Sequence, residues 1–437
     1  MSPLTILTVF LLAIVYAWSL YNVPTLIVGI KTHLREKTKG QSYGKRGSTK
    51  RRLPAFSVIV PAKNEERVLP RLLDALLKQN YPEDRFEVIV VEDGSTDWTA
   101  HICEQYRRTT GERIRIIHGE KSNGKASALN RALWAAKGDI LAFFDADSIP
   151  EPDVLLNAAR QFQDESVQAL QGRILTANSD VNMLTKFISY EDAVWCDGYL
   201  MGKDALGLFV HLRGSCEFIR RRTLENLGGW NENHLSEDME LSARLVREGH
   251  RIKYASDVRS WQESPEGLKQ MFHQRIRWFR GSMQVALKYG RLIRRPSLKS
   301  FDAEATLFGP FVLIISLLSY ALGPLAFYEL GESALLAVTV AGWAVLTVTL
   351  VSGALALMYV AKPRKKRDLL WLPFIYAYWI FQVFLATWAL LKILYGASAE
   401  WKRTPKTGTV ATTDSSMQIL THNLPAIAEE HAPDASD

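Results

Sequence analysis

Six short clusters carry side chains able to do chemistry on a charged substrate: PAKNEE (61–66), EDGSTD (92–97), NGKASALN (123–130), DADS (145–148), SED (236–238) and QRIRW (274–278). Acids gathered from separate places repel one another unless a cation sits among them, and a divalent cation carrying a diphosphate is a natural occupant. In DAD the alternating spacing lets Asp145 and Asp147 leave a strand end on the same side. One can then face a nucleotide sugar while the other binds a hard ion such as Mg²⁺ or Mn²⁺. Lys125 near a diphosphate would be a fixed positive charge. Asp238 would be a general base, taking the proton from a sugar hydroxyl as it attacks an activated anomeric carbon. Each has a plainer reading alone. Asp-x-Asp and Asp93-Gly-Ser are ordinary turn vocabulary, Lys125 suits a solvated first helical turn, and Ser236, Glu237 and Asp238 suit a helix start.

The elements around them favour the chemical reading. Four apolar runs, FSVIV (56–60), FEVIVV (86–91), RIRIIH (113–118) and DILAFF (139–144), alternate with amphipathic stretches such as 65–79 and 125–137. This predicts parallel βαβ units buried on both faces, with the ligand site beyond the carboxyl ends of the strands. PAKNEE, EDGSTD and DADS fall there. Around QRIRW, Leu268, Phe272, Ile276, Phe279, Met283 and Leu287 share one arc of a helix, and Gln274, Arg277 and Trp278 cluster opposite. Lys269, Arg275, Arg280 and Lys288 flank it. The oily arc is expected to rest in the headgroup layer of a membrane, leaving the polar arc for a substrate.

The 437 residues leave room for two or three units. Residues 1–30 have no charged side chain, and further uncharged runs lie at 305–328, 333–361 and 369–391. Each is long enough to cross a bilayer core. The first lacks a basic leader and is followed by its basic cluster, so it reads as an anchor and not a signal peptide. The predicted organisation is an anchor (1–30), a basic cytoplasmic linker (31–53), a catalytic domain (54–264), an interfacial helix (265–290), a transmembrane region of about three spans (303–396) and a polar, disordered tail (397–437). The basic loop at 361–368 agrees with two spans out and back. A third simple crossing would put the basic WKRTPK (401–406) outside, so either that preference is overruled or the last run, interrupted at Pro373, is not a single crossing. The net charge of +7 gathers largely beside the spans, which points to anionic lipid and excludes nucleic acid. Cys103, Cys196 and Cys216 fit neither a disulfide framework nor a zinc site.

In this order, PAKNEE, VEDGSTD, DAD, GSC (214–216), SED and QRIRW resemble the membrane-integrated family 2 glycosyltransferases, such as cellulose, hyaluronan, chitin-oligosaccharide and poly-N-acetylglucosamine synthases. The resemblance covers roughly 54–290 and the layout of flanking spans. It implies an α/β GT-A fold, a mostly parallel sheet flanked by helices, joined to an interfacial helix and transmembrane helices. By the same resemblance Asp93 and Lys125 help hold the nucleotide, Asp145 contacts the donor with Asp147 on the Mg²⁺ or Mn²⁺, and Asp238 is the base beside Glu237. Gln274 and Arg277 steady the diphosphate, Trp278 stacks on the acceptor sugar, and Gly214, Ser215 and Cys216 line the acceptor path.

The implied activity is inverting, metal-dependent hexosyl transfer from a cytosolic nucleotide sugar, expected to be UDP-linked, onto a growing β-linked polysaccharide. The implied partners are that donor, a glycan or glycolipid acceptor and membrane lipid, with room for a homo-oligomer or an export subunit. Glu92 and Ser236 stand where many relatives have Asp and Thr. The spans are few for enclosing a polymer channel. That bears on translocation and leaves transfer untouched. Because the same Arg-Trp motif also resembles that of ceramide-type glucosyltransferases, transfer of one sugar to a lipid is the alternative, and a catalytically silent scaffold is a third reading.

Overall fold

The computed structural model describes residues 2–39, 53–119, 122–292, 297–361 and 372–397, together with Lys406 and Gly408. The linker over 40–52, the loop over 362–371 and the expected disordered tail beyond 408 lie outside the described residues. The strands are β1 (Phe56–Ala62), β2 (Phe86–Glu92), β3 (Ile114–His118), β4 (Ile140–Phe143), β5 (Ile149–Pro150), β6 (Val167–Thr176), β7 (Glu217–Arg220) and β8 (Arg251–Gln262). They form one eight-stranded sheet in the order β3-β2-β1-β4-β7-β6-β8-β5. The first four are parallel, as their apolar runs predict. Alternate residues serve opposite faces: Ile59, Ile89 and Leu141 enter one hydrophobic cluster, and Val58, Val60, Val88 and Val90 the other. Beyond β4 the sheet changes character, with β7 antiparallel to both β4 and β6, β8 parallel to β6, and β5 antiparallel to β8.

The helices are α1 (Pro3–Lys39), α2 (Leu69–Leu77), α3 (Thr99–Thr110), α4 (Lys125–Ala135), α5 (Val154–Gln161), α6 (Met183–Ala193), α7 (Met201–Ala205), α8 (Arg221–Asn226), α9 (Glu237–Arg247), α10 (Leu268–Tyr289), α11 (Leu298–Phe327), α12 (Glu332–Ala356) and α13 (Leu372–Leu394). A π-helical turn, Val194–Leu200, joins α6 to α7. Asn182 caps α6 in a reciprocal box with Thr185.

Among the described residues four helices, Pro3–Thr38, Leu298–Phe327, Glu332–Ala361 and Pro373–Leu394, are long and apolar enough to cross a membrane. The lower half of α1 continues onto the sheet-bearing domain, where Gly29 packs against Gly198 so closely that a Cβ there would stand 1.8 Å from the Gly198 carbonyl oxygen. Asp302, in the first turns of α11, fastens the two regions. It accepts hydrogen bonds from Lys203 Nζ (2.9 and 3.0 Å), Tyr21 Oη (2.8 Å) and the Phe209 amide (2.8 Å), with none of its surface exposed. Asp302→Ala strands the buried Lys203 ammonium, and removing one partner of such a pair costs about 3–5 kcal/mol. A clear fall in the melting temperature of the detergent-solubilised protein is the expected result.

One expectation is corrected. The oily arc of α10 does not lie bare towards lipid: Ile276 and Met283 are buried in a cluster with Ile314 of α11 and Ala386 and Ala389 of α13, with Phe272 and Phe279 packed on it. Leu268 and Leu287, at the ends, stay exposed. Arg275 and Arg280 likewise turn inward. Arg275 pairs with Glu191 and lies 3.2 Å from Tyr378 Oη, while Arg280 donates to the Ala397 carbonyl. Helical periodicity marks which face is apolar, but the cover comes from α11 and from α13, about a hundred residues later in the chain.

Candidate active site

The loops after β1 and β2 are knitted together. Asn64, at φ 55°, accepts from the Thr96 amide at 2.7 Å, and the Glu65 amide donates to Thr99 Oγ1 at 2.7 Å. Asp93, just past β2, donates its amide to the Ala62 carbonyl and is almost fully buried. Its carboxylate accepts from Ser122 Oγ at 2.6 Å and pairs with Arg131.

Lys125 is the first residue of α4, placed there by Gly124 at φ 91°. Its ammonium binds Asp145 at 2.7 Å, Glu237 at 3.1 Å and the Gly214 carbonyl at 2.8 Å. One lysine thus joins the start of α4, the end of β4, the loop before β7 and the start of α9. Burial alone would lower its pKa, but Asp145 and Glu237 outweigh burial and the net shift is upward.

Asp145 and Asp147 converge as their spacing predicts: Gln262 Nε2, at the end of β8, donates to Asp145 Oδ2 (3.1 Å) and to Asp147 Oδ1 (3.0 Å). Burial would raise the Asp147 pKa, and it is overcome by Lys406 and Gln262, so the carboxyl is held below its ordinary value. Among the described residues no group of three or more His, Cys, Asp or Glu side chains could cage a metal by itself. A pair of converging carboxylates instead suits an ion that completes its shell with phosphate oxygens and water, the habit of Mg²⁺ and Mn²⁺. The donor set fits a metal arriving with a diphosphate.

Asp238 lies in the first turn of α9, where Ser236 is the N-cap residue but makes no side-chain cap bond. Asp238 Oδ1 accepts from the Met239 amide at 2.8 Å, and Oδ2 faces Gly214, where a Cβ would stand 3.4 Å away. Gly214 itself has φ 83°, a backbone only glycine takes readily. Burial first, then neighbouring Glu237, pushes the Asp238 carboxyl up to about 7, against the opposing Lys125. Behind it Glu217, buried in β7, accepts from the Gly214 amide and is pushed well above its usual range by burial and by Asp238.

Of Gln274, Arg277 and Trp278 on α10, which packs against α9, Arg277 is the one brought among the site acids. Gly281 meets Ser236 so tightly that a Cβ there would stand 2.1 Å from Ser236 Oγ. The Arg277 pKa is lowered by burial, while Glu237, Asp145 and Asp238 pull it upward, so its guanidinium faces those acids. Gln274 is half-buried beside it. Trp278 keeps 38% of its surface exposed, and the Arg275 guanidinium lies 4.6 Å from the ring centroid.

GSC departs in part from its expected place. Gly214 borders the site. Ser215 is buried and braces it, receiving the Asp145 amide at 3.1 Å and pairing with Ser148 at 2.9 Å. Cys216 is fully buried at φ 51°, with Sγ 3.8 Å from the Val258 carbonyl, so it lines no acceptor path. Arg131, Glu217, Gln262 and Lys406 belong to the site and were not singled out in the sequence. Only Glu217 had a local signal, an acid directly following GSC at the start of a short strand.

A family model described as "Glycosyltransferase like family 2" matches residues 54–281. The beta-monoglucosyldiacylglycerol synthase of Nostoc sp. strain PCC 7120 is 34% identical over 257 residues, 57% of this chain and 54% of that protein. An N-acetylglucosaminyltransferase of Rhizobium meliloti is 29% identical over 279 residues, 62% of this chain and 65% of its own. The match therefore spans little more than half of the first of these relatives. Among solved structures, a Pyrobaculum calidifontis mannosyltransferase in complex with GDP-Man and Mn²⁺ aligns with a TM-score of 0.57 at 22% identity, covering 90% of this chain and all of that one. The fold is of the GT-A type, as expected from the motifs. With the match covering the sheet, the acid clusters and the Gln-x-x-Arg-Trp helix, the chain belongs to glycosyltransferase family 2.

Proposed function

We propose that the protein is an inverting, metal-dependent hexosyltransferase that takes its sugar from a nucleotide donor at the cytoplasmic face of a membrane. The observation that carries this reading is the meeting of Asp238, Lys125, Asp145 and Arg277 around Gly214. Asp145 and Lys125 orient the donor, and Asp93 shapes the nucleotide pocket. Asp238 takes the acceptor proton, Glu237 holds Lys125, and Gln274 and Arg277 receive the departing diphosphate. Trp278, whose indole is partly exposed beside Arg275, would stack on a pyranose. A Mg²⁺ or Mn²⁺ on Asp147 and Asp145 would neutralise charge growing on the diphosphate.

For the acceptor, we favour a membrane lipid that receives one sugar. Of the two relatives described, the one with the higher identity is a glycolipid synthase, which supports this reading. Extension of a glycan remains the second reading, supported by the N-acetylglucosaminyltransferase relative. Purified protein in nanodiscs, given labelled UDP- and GDP-sugars with Mn²⁺, should yield a single glycolipid on thin-layer chromatography. A ladder of products would favour the glycan, and no nucleotide release from any donor would refute both.

The proposed domains keep the boundaries given above, with one change of topology. Near its start α13 is tied by Tyr378 to Glu191 and Arg275, while just past its end Ala397 meets Arg280 of α10. We read α13 as lying along the interface instead of crossing, so that α1, α11 and α12 span and the basic WKRTPK stays inside. In intact cells an impermeant maleimide should label Gly331→Cys, between α11 and α12, and leave Gly408→Cys unmodified; the native cysteines are buried.

A further inference from the structure

Asp147 is 4% exposed, and a buried carboxylate requires a counter-charge. The charge comes from far along the chain, beyond α13. Lys406 Nζ stands 2.5 Å from Asp147 Oδ2 and donates to the Glu263 carbonyl at 2.7 Å. Gly408 is held on the same residue, its amide 3.4 Å from Glu263 Oε2 and its carbonyl 3.4 Å from Arg71. Arg71 in turn pairs with Glu263 at 2.7 Å and reaches the Asp147 carbonyl at 3.4 Å. Lys406 is thus seated at two points and backed by a buried ion pair. Gln262 takes the other oxygen of Asp147, so the ammonium occupies the oxygen a hard divalent cation would use. Lysine suits such a post because its charge is compact and sits on a flexible stem.

We propose that Lys406 is an intramolecular counter-cation that fills the divalent-metal position at Asp147 and yields it when the metal arrives with the nucleotide. The inference rests on the metal-dependent reading above. Metal alone must displace the ammonium with one carboxylate pair as its reward. Metal on a diphosphate brings its own ligands, so metal and donor load together, and without them Asp147 keeps Lys406 as its counter-charge.

The test uses Mn²⁺ alone, followed by electron paramagnetic resonance on the full chain in nanodiscs without donor. If the ion pair is populated about ten to one, Lys406→Ala and Lys406→Gln should bind Mn²⁺ about tenfold more tightly than the unaltered protein. In the unaltered protein, Mn²⁺ should increase acetylation of Lys406 by acetic anhydride, read by mass spectrometry, which checks the displacement without any substitution. Equal or weaker Mn²⁺ binding in both variants, or Lys406 reactivity unmoved by Mn²⁺, overturns the proposal while leaving the transferase reading standing. Undiminished Mn²⁺ binding in Asp147→Ala overturns the metal assignment and this inference together.

Discussion

Asp238→Asn should lower kcat by about 10²–10⁴-fold, the usual worth of a positioned general base, while donor binding by calorimetry stays close to that of the unaltered protein. The asparagine keeps the shape of the side chain and the hydrogen bond from Met239, but cannot take the proton of the attacking hydroxyl. The same assignment fixes a pH profile. Burial and Glu237 push Asp238 up to about 7. The raised pKa means the carboxyl keeps its proton to a higher pH than a free aspartate, and only the deprotonated form works as a base. Initial-rate kcat/KM should therefore rise with pH through about 7 and then level off. That acidic limb should disappear from the residual activity of Asp238→Asn. A limb retained unchanged would move the base elsewhere.

The second large effect is at Arg277. Its guanidinium is held among Glu237, Asp145 and Asp238 on a helix locked to Ser236 through Gly281. Charge grows on the diphosphate as the sugar leaves, so a donor fixed in advance does more for the transition state than for the bound substrate. Removing a single donor of this kind costs about 10²–10³-fold in kcat. Arg277→Lys keeps the charge but loses the planar fork. It should recover only part of the loss seen in Arg277→Ala, with the larger share of both losses in kcat, measured by release of the nucleoside diphosphate. A loss confined to KM would reduce Arg277 to a ground-state contact.

Much of the first half of the domain was legible because its physics is local. Runs such as FSVIV and FEVIVV read as parallel strands since both faces need apolar residues, and DAD follows such a run directly. The second half hides its strands. β8, RIKYASDVRSWQ, mixes charges with apolar residues along its length, and β7 is four residues ending in arginine. Their pairing is set by partners distant in sequence, so no short pattern announces it. Gly214 could be read as part of the site, but the fate of Cys216 turned on a backbone at φ 51° that points its thiol into the core. The Lys406–Asp147 pair, like the cover on α10, joins residues more than a hundred positions apart. A basic run beside a membrane span looked like lipid contact because that is what such runs most simply meet.

The central claim is that one displacement, driven by Asp238 against a donor held by Lys125, Asp145 and Arg277, accomplishes the transfer. It is tested most directly by the anomeric configuration of the first bond made. Product formed from an α-linked nucleotide sugar should show a β linkage by proton NMR, with about 10²–10⁴-fold less formed by Asp238→Asn over the same interval. An α-linked product would require a second displacement or a front-face route, and would contradict the account.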